Sequence, residues 1–254
     1  MKIGLIGFGR TGKAVAEVVL RNPHFCLEWV VRHSKIGHNS NVPEYLGIDS
    51  SEPGTILCKQ TLTADELLDR RPVDAIVDFS SVTGIDFYGE EAAKREITII
   101  SGVSQYDELV LDRFKKLSKG TRILWSPNIT LGINFLMVAA KALRQIAPQA
   151  NIHIIEEHFR EKQDVSGTAR RLAEELDVNS TEISSVRAGG IVGTHEVLFG
   201  FPFQTLRIRH ESIARQAFGN GALFAASELM DRERGLYRME DLLQPYFAQS
   251  LNPT

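Results

Sequence analysis

A chain of 254 residues, 43% hydrophobic and 24% charged, has the balance of an ordinary globular protein, which excludes disordered and fibrous classes. Its net charge of −3, with no basic block, offers a nucleic-acid backbone no electrostatic footprint, and no apolar run is long enough to span a bilayer, so neither nucleic acid nor membrane is an expected partner. Cys26 and Cys58 lack CxxC spacing and read as reduced thiols of a cytoplasmic protein.

The first strand is expected over residues 3–7, in an N-terminal stretch whose apolar run ends too soon for a signal peptide. Gly7-Phe8-Gly9-Arg10-Thr11-Gly12 follows directly and opens a helix over 13–20. A GxGxxG run between a strand and a helix is the setting of a dinucleotide fingerprint. Gly7 permits the tight turn, Gly9 lets a pyrophosphate approach the backbone, and Gly12 lets helix and strand pack closely, while the helix start faces the phosphates. The second strand, 27–32, ends in Arg32 and His33, with no acidic residue to bond the ribose hydroxyls of NAD. Arg32 suits a 2′-phosphate, so NADPH is expected over NADH; the alternative is an arginine that only solvates a strand end.

Residues 33–61, rich in Gly, Asn, Ser and Pro, read as a long irregular connection. Strands at 75–80, 97–101 and 122–125, with amphipathic helices at 90–95 and 108–116, continue a βαβ series on a parallel sheet. Beyond Ser126 the alternation breaks. A helix at 135–143, a strand at 152–156, a helix at 168–176, strands at 184–188, 195–200 and 204–210, and a helix at 221–230 follow, before 235–239 turns back to the first domain. The expected fold class is therefore α/β, with an N-terminal Rossmann domain (1–127 plus 236–254) on a parallel sheet. A second α+β domain (128–235) with a mixed sheet serves substrate and oligomerisation.

The second domain holds the run Glu156-Glu157-His158-Phe159-Arg160-Glu161-Lys162-Gln163-Asp164-Val165-Ser166-Gly167-Thr168-Ala169. His158 can donate a proton near neutral pH and Lys162 can hold an anionic or imine substrate. Ser166-Gly167-Thr168 leads straight into a helix, where free N–H groups and the helix dipole favour an anion. Taken singly, each residue reads first as a helix cap or a surface polar group, since caps are common.

In context the run resembles the signature E-x-H-H-x-x-K-x-D-A-P-S-G-T-A of the dihydrodipicolinate reductase family, and the resemblance spans almost the whole chain. Asp78-Phe79-Ser80 is similar to its D-F-[ST] strand end, and Ser101-Gly102-Val103-Ser104 lies where it has G-T-T. Ser126-Pro127-Asn128-Ile129-Thr130-Leu131-Gly132-Ile133-Asn134 resembles A-P-N-F-S-x-G-V-N, Val186-Arg187-Ala188-Gly189-Gly190-Ile191-Val192-Gly193-Thr194-His195 resembles V-R-A-G-x-I-V-G-x-H, and Arg215-Gln216-Ala217-Phe218-Gly219-Asn220-Gly221-Ala222 resembles R-x-x-F-A-N-G-A.

The resemblance implies reduction by NADPH or NADH of the cyclic dihydrodipicolinate species derived from 4-hydroxy-tetrahydrodipicolinate, in lysine and diaminopimelate biosynthesis. It implies His158 as general acid and Lys162 as the lysine assisting it, Ser166, Gly167 and Thr168 as a carboxylate-binding turn, and Arg215 as the arginine closing the site. It adds Ser80, Gly102, Ser104, Ser126 and Asn128 to the loop residues Gly7 to Gly12, Arg32 and His33 at the cofactor, with no metal, and it implies a homo-oligomer, tetramer or dimer, joined through the second domain.

Three departures fall on the substrate side. Phe159 replaces the second His of the His-His pair, Val165 alone stands for Ala-Pro, and G-T-T-G becomes Gly102-Val103-Ser104-Gln105. They leave two other readings: a member reducing a different cyclic imine or unsaturated acid, with Phe159 as an apolar wall, or a non-catalytic nucleotide-binding or assembly protein.

Overall fold

A computed structural model describes residues 1–251. In chain order the elements are β1 (Lys2–Ile6), α1 (Arg10–Leu20), β2 (Cys26–Arg32), α2 (Val42–Leu46), β3 (Thr55–Cys58), α3 (Ala64–Arg70), β4 (Ala75–Asp78), α4 (Ile85–Lys94), β5 (Thr98–Ser101), α5 (Glu108–Leu117) and β6 (Arg122–Trp125). There follow α6 (Leu131–Ile146), β7 (Asn151–His158), α7 (Gly167–Glu175), β8 (Ile183–Arg187), β9 (Thr194–Phe201), β10 (Gln204–Glu211), α8 (Gln216–Met230), β11 (Gly235–Tyr237) and α9 (Met239–Leu251). None of these helices is long and apolar enough to cross a membrane.

The chain forms two compact units, and the first comprises Met1–Ile129 and Phe218–Leu242. Its seven strands run in the order β11-β6-β5-β4-β1-β2-β3, all parallel. Every residue of β4 and β5 is buried, which is why neither strand alternates apolar with solvent-facing residues: each face of a parallel sheet is covered. The strand order reverses between β1 and β4, and at such a switch point the carboxyl ends of the strands leave a crevice for a ligand.

The irregular connection expected over 33–61 is corrected: it contains α2 and β3. Asn41 caps α2 by accepting from the Glu44 amide, a proline opens the helix, and left-handed Gly47 closes it. At five and four residues, α2 and β3 are too short to show a period among so many turn residues. The next helix, α3, carries a capping box formed by Thr63 and Glu66, a start signal that was present in the sequence. The chain re-enters the first unit at Phe218, ahead of the expected 236. A Cβ on Gly219 of α8 would lie 2.9 Å from the Val18 side chain, so α8 packs on α1 with almost no gap. From Leu243 onward the chain groups with the second unit, and residues 252–254 of the expected tail lie outside the described residues.

The second unit's main segment is Thr130–Ala217. Its sheet has the order β10-β9-β7-β8, with β7 parallel to β8 and antiparallel to β9. The parallel pair needs a crossover, and α7 supplies it. Ile152, Ile154, Val197 and Phe199 meet Ile133, Leu136 and Met137 of α6 and Leu172 of α7 in the core. Because β7 alternates, Glu156 and His158 continue the same face as Ile152 and Ile154. The apolar core thus ends, at the carboxyl end of β7, in a buried acid and a buried imidazole.

Candidate active site

In the first unit, the crevice forms where β1 ends. Gly7 turns the chain with φ of +94°, and a Cβ there would meet the Phe79 backbone at 2.7 Å. On α1, a Cβ on Gly12 would lie 2.0 Å from the Gly7 carbonyl oxygen, so the helix start is drawn down onto the turn. Gly9 is the N-cap, without a side-chain capping bond, and the space where its Cβ would stand is open. The first-turn amides of α1 are left to face whatever enters, as a pyrophosphate requires. A cavity of about 440 Å³ opens here, lined among others by Gly7, Phe8, Gly9, Arg32, His33 and Ser80. Arg10, Thr11 and Gly12 form the start of α1. This constellation fits a dinucleotide.

Gly102, Ser104, Ser126 and Asn128 do not line that cavity. They follow β5 and β6 at the carboxyl edge of the same sheet, where a Cβ on Gly102 would strike the Phe79 ring at 2.4 Å and the Ser126 hydroxyl donates to the Asn128 carbonyl at 2.8 Å. Ser80 lines the cavity, but its hydroxyl and amide both donate to Asp78 Oδ1, at 2.6 and 2.8 Å. The Tyr88 hydroxyl donates to Oδ2 at 2.8 Å. Asp78 is fully buried, and burial raises its pKa against those hydrogen bonds, so it serves to shape the loop.

Sequence reasoning missed a cationic, aromatic group beside the end of β2. Lys13 Nζ lies 3.3 Å from the Tyr45 hydroxyl and 5.8 Å from the centre of the Phe8 ring, and the Arg32 guanidinium lies 6.0 Å from that ring. Lys59 lines the cavity as well. The hydrogen bond from Lys13 lowers the Tyr45 pKa, with Arg32 adding to it. Tyr45 sits on α2, in the stretch expected to be irregular, which is why it went unread.

The second unit gathers a buried polar network. His158 Nδ1 is hydrogen-bonded directly to Glu156 Oε2. The other carboxylate oxygen accepts from Ser185 Oγ at 2.6 Å and from Arg187 Nη2 at 2.5 Å. Strand register puts them there, because Glu156 pairs with Ser185 and His158 with Arg187 across β7 and β8. Burial pushes the Glu156 carboxyl up, but the hydrogen bonds from Arg187 and Ser185 outweigh it and leave the pKa below the usual value. Burial pushes His158 down, Glu156 pulls it up, and Lys162 and Arg187 add to the depression. Among the described residues, His158 Nε2 carries no hydrogen bond, and a Cβ on Gly193 would come within 3.0 Å of it.

His195 is the register partner of Glu156 on β9, with its ring edge-to-face to His158 at 5.2 Å. Burial, with repulsion from His158, pushes its pKa down to about 3, so the ring is neutral. The Ser166 hydroxyl and His195 Nε2 are hydrogen-bonded at 2.9 Å, and the same hydroxyl accepts from the Ala169 amide at 3.0 Å. Ser166 is thus the N-cap of α7, its hydroxyl held between the Ala169 amide and the His195 ring. Gly167 lies open at the helix start and Thr168 is half-buried beside it. Lys162 is half-buried on the loop after β7, close enough to depress both histidines. Phe159 is 40% exposed on the same loop. Arg215 stands half-buried just ahead of α8 and makes no hydrogen bond or ion pair with His158 or Lys162 among the described residues.

Glu156, His158 and His195 each offer a ligand atom, all within 4.8 Å of one another. The Nδ1 and Oε2 atoms are hydrogen-bonded to each other, and the Arg187 charge sits on the same carboxylate. Sequence reasoning found His158 and Lys162 but missed Glu156, Ser185, Arg187 and His195 as parts of the site. The E-x-H spacing was a readable signal for Glu156; the pairing of β7 with β8 and β9 was not.

The chain matches the model of the dihydrodipicolinate reductase N-terminus over residues 1–129 and that of the C-terminus over 132–243. It is 30% identical to a 4-hydroxy-tetrahydrodipicolinate reductase of Caldanaerobacter subterraneus subsp. tengcongensis, the match covering 93% of this chain and 95% of the relative. It is also 30% identical to one of Thermosipho africanus, over 97% and 100%. Among solved structures, a dipicolinate-bound dihydrodipicolinate reductase from Paenisporosarcina sp. TG-14 shares its fold, with a TM-score of 0.78 and 21% identity over 95% of this chain and 98% of that one. The chain therefore belongs to the dihydrodipicolinate reductase family of nicotinamide-dependent oxidoreductases.

Proposed function

We propose that this protein reduces the dihydrodipicolinate species derived from 4-hydroxy-tetrahydrodipicolinate to tetrahydrodipicolinate, a step of lysine and diaminopimelate biosynthesis, with NADPH preferred over NADH. The first unit holds the cofactor and the second the substrate. The observation that carries the reading is the buried Glu156–His158 pair, whose second ring nitrogen is left without a partner.

The nicotinamide, when bound, supplies a hydride to an electrophilic carbon of the conjugated imine. Glu156 accepts a hydrogen bond from Nδ1–H of His158, so it is the Nε2–H of the protonated ring that delivers a proton to the negative charge developing in the substrate, leaving the neutral ring with its proton on Nδ1. Lys162 and the open start of α7 at Gly167 hold carboxylate, the first by charge and the second by free amides. Thr168 lies beside that start, and Arg215 closes the site. Phe159, 40% exposed, stands at the sequence position where the family has a carboxylate-binding histidine.

Preference for NADPH rests on Arg32, with Lys13 and Lys59 nearby and no acid at the end of β2. A cytoplasmic homo-oligomer, tetramer or dimer, belongs to the same reading and is checked by light scattering. The central experiment mixes purified protein, NADPH and freshly generated 4-hydroxy-tetrahydrodipicolinate and follows nicotinamide absorbance. Turnover supports the assignment; cofactor binding without turnover overturns it.

A further inference from the structure

We propose that Arg187 is a positioning residue whose one guanidinium ties the proton donor to the substrate-holding loop. The proposal rests on His158 acting as the acid and Lys162 as the anion holder. Arg187 Nη2 bridges Glu156 Oε1 at 2.5 Å and the Asp164 carbonyl at 2.8 Å. Its Nε donates to the Lys162 carbonyl at 2.9 Å, and Nη1 donates to the Val186 carbonyl at 2.9 Å. Four of these donations come from one planar group, leaving a single N–H uncommitted. The side chain is 19% exposed, so water competes little for them.

Each end of this bridge has its own effect. Toward β7, the positive charge adds to the Ser185 and His158 hydrogen bonds in holding Glu156 ionised, and an ionised Glu156 can only accept, which fixes the Nδ1 proton and leaves Nε2 for the substrate. Toward the loop, the two carbonyl bonds hold the backbone on either side of Gln163, in a stretch with no helix or strand of its own. They set where the Lys162 side chain emerges relative to His158. Lysine cannot reproduce this. Its ammonium is a compact charge with three donors and no planar fork, so it can neutralise Glu156 without gripping both carbonyls.

The charged and titratable groups around His158 are Glu156 on its own strand, Arg187 on β8, His195 on β9 and Lys162 on the loop, with His210 on β10 acting on His195. Arg187 and Lys162 both disfavour the imidazolium, and Glu156 favours it. An acid must be protonated to act, so kcat falls as pH rises through the pKa of His158. With Ser185 and His158 still holding Glu156 ionised, removing the Arg187 charge raises that pKa and carries the alkaline limb to higher pH. Losing the carbonyl bonds loosens Lys162 and raises KM.

The test compares kcat and KM against pH for the unaltered protein, Arg187→Lys and Arg187→Met. In Arg187→Lys, KM for the substrate rises about tenfold, the worth of one to two net hydrogen bonds, while the alkaline limb stays in place. In Arg187→Met, KM rises at least as much and the limb moves to higher pH. Should Arg187→Met fail to fold because it strands a buried carboxylate, Arg187→Met with Glu156→Gln removes that charge, and its KM carries the comparison. Unchanged KM in Arg187→Lys, or an unmoved limb in folded Arg187→Met, overturns the proposal. Full activity in His158→Ala would instead overturn the catalytic reading beneath it, so the two failures are told apart.

Discussion

Replacing Glu156 by glutamine changes one charge and almost no volume, and the surroundings dictate how the new amide must sit. Ser185 and Arg187 both donate to what is now Oε1, so an oxygen has to stay on that side. The amide NH₂ is therefore turned toward His158 Nδ1, which must accept rather than donate. A ring that accepts at Nδ1 cannot also be protonated there, so the imidazolium is opposed twice: by loss of the Glu156 charge and by a donor facing the wrong nitrogen. The influences that remain, burial, Lys162 and Arg187, all push the pKa of His158 down. The neutral ring keeps its proton on Nε2, so a weak acid survives in the right place. The expected loss of kcat at neutral pH is roughly 10²-fold, the lower end of what a positioned general acid contributes. The alkaline limb of kcat should move to lower pH, opposite to its movement in Arg187→Met. A kcat–pH series by nicotinamide absorbance measures both, and a limb that stays in place would refute the role given to this carboxylate.

His158→Ala should lower turnover by roughly two to four orders of magnitude while cofactor affinity, measured by fluorescence titration, hardly changes. Arg32→Ala should weaken NADPH and leave NADH as it was; equal losses for both would remove the 2′-phosphate argument. Phe159→His should raise kcat/KM on dihydrodipicolinate, since it restores a carboxylate partner at an exposed position of the loop; an unaltered value would show that this position does not meet substrate. His195 has a folded pKa near 3, below its ordinary 6.5, so the unfolded chain binds its proton first as acid is added. Its contribution to stability is whole above about pH 6.5 and shrinks as pH falls toward 3. Thermal unfolding of His195→Asn should therefore lose less stability between pH 7 and pH 5 than that of the unaltered chain, and parallel curves would contradict this.

Much of the Rossmann sheet was legible because its central strands are buried on both faces and end in glycine or polar turns; β6 runs over Arg122–Trp125 as expected. The failures were short pieces whose signals are local rather than periodic. Asn41, Pro43 and Gly47 mark the ends of α2, and Thr63 with Glu66 marks the start of α3, yet neither helix is long enough to show an apolar stripe. Overlooking α2 hid Tyr45 and with it the cationic group that Lys13 and Arg32 form around Phe8.

In the second unit the limit lies in what a strand's sequence encodes. Alternation along β7 says that Glu156 and His158 share a face, and it says so from the sequence. It does not say which strand lies alongside or at what register, and a slip of one residue between β7 and β8 would put Val186 rather than Arg187 opposite His158. That single register carries the site. It brings Ser185 and Arg187 to one oxygen of Glu156, leaves the other for His158, and lets the same guanidinium reach the loop that bears Lys162. The residues that touch substrate can be found by their chemistry, because a histidine and a lysine four apart before a helix start are conspicuous. The residues that make the histidine an acid are ordinary in sequence, and only the pairing of strands gives them that role.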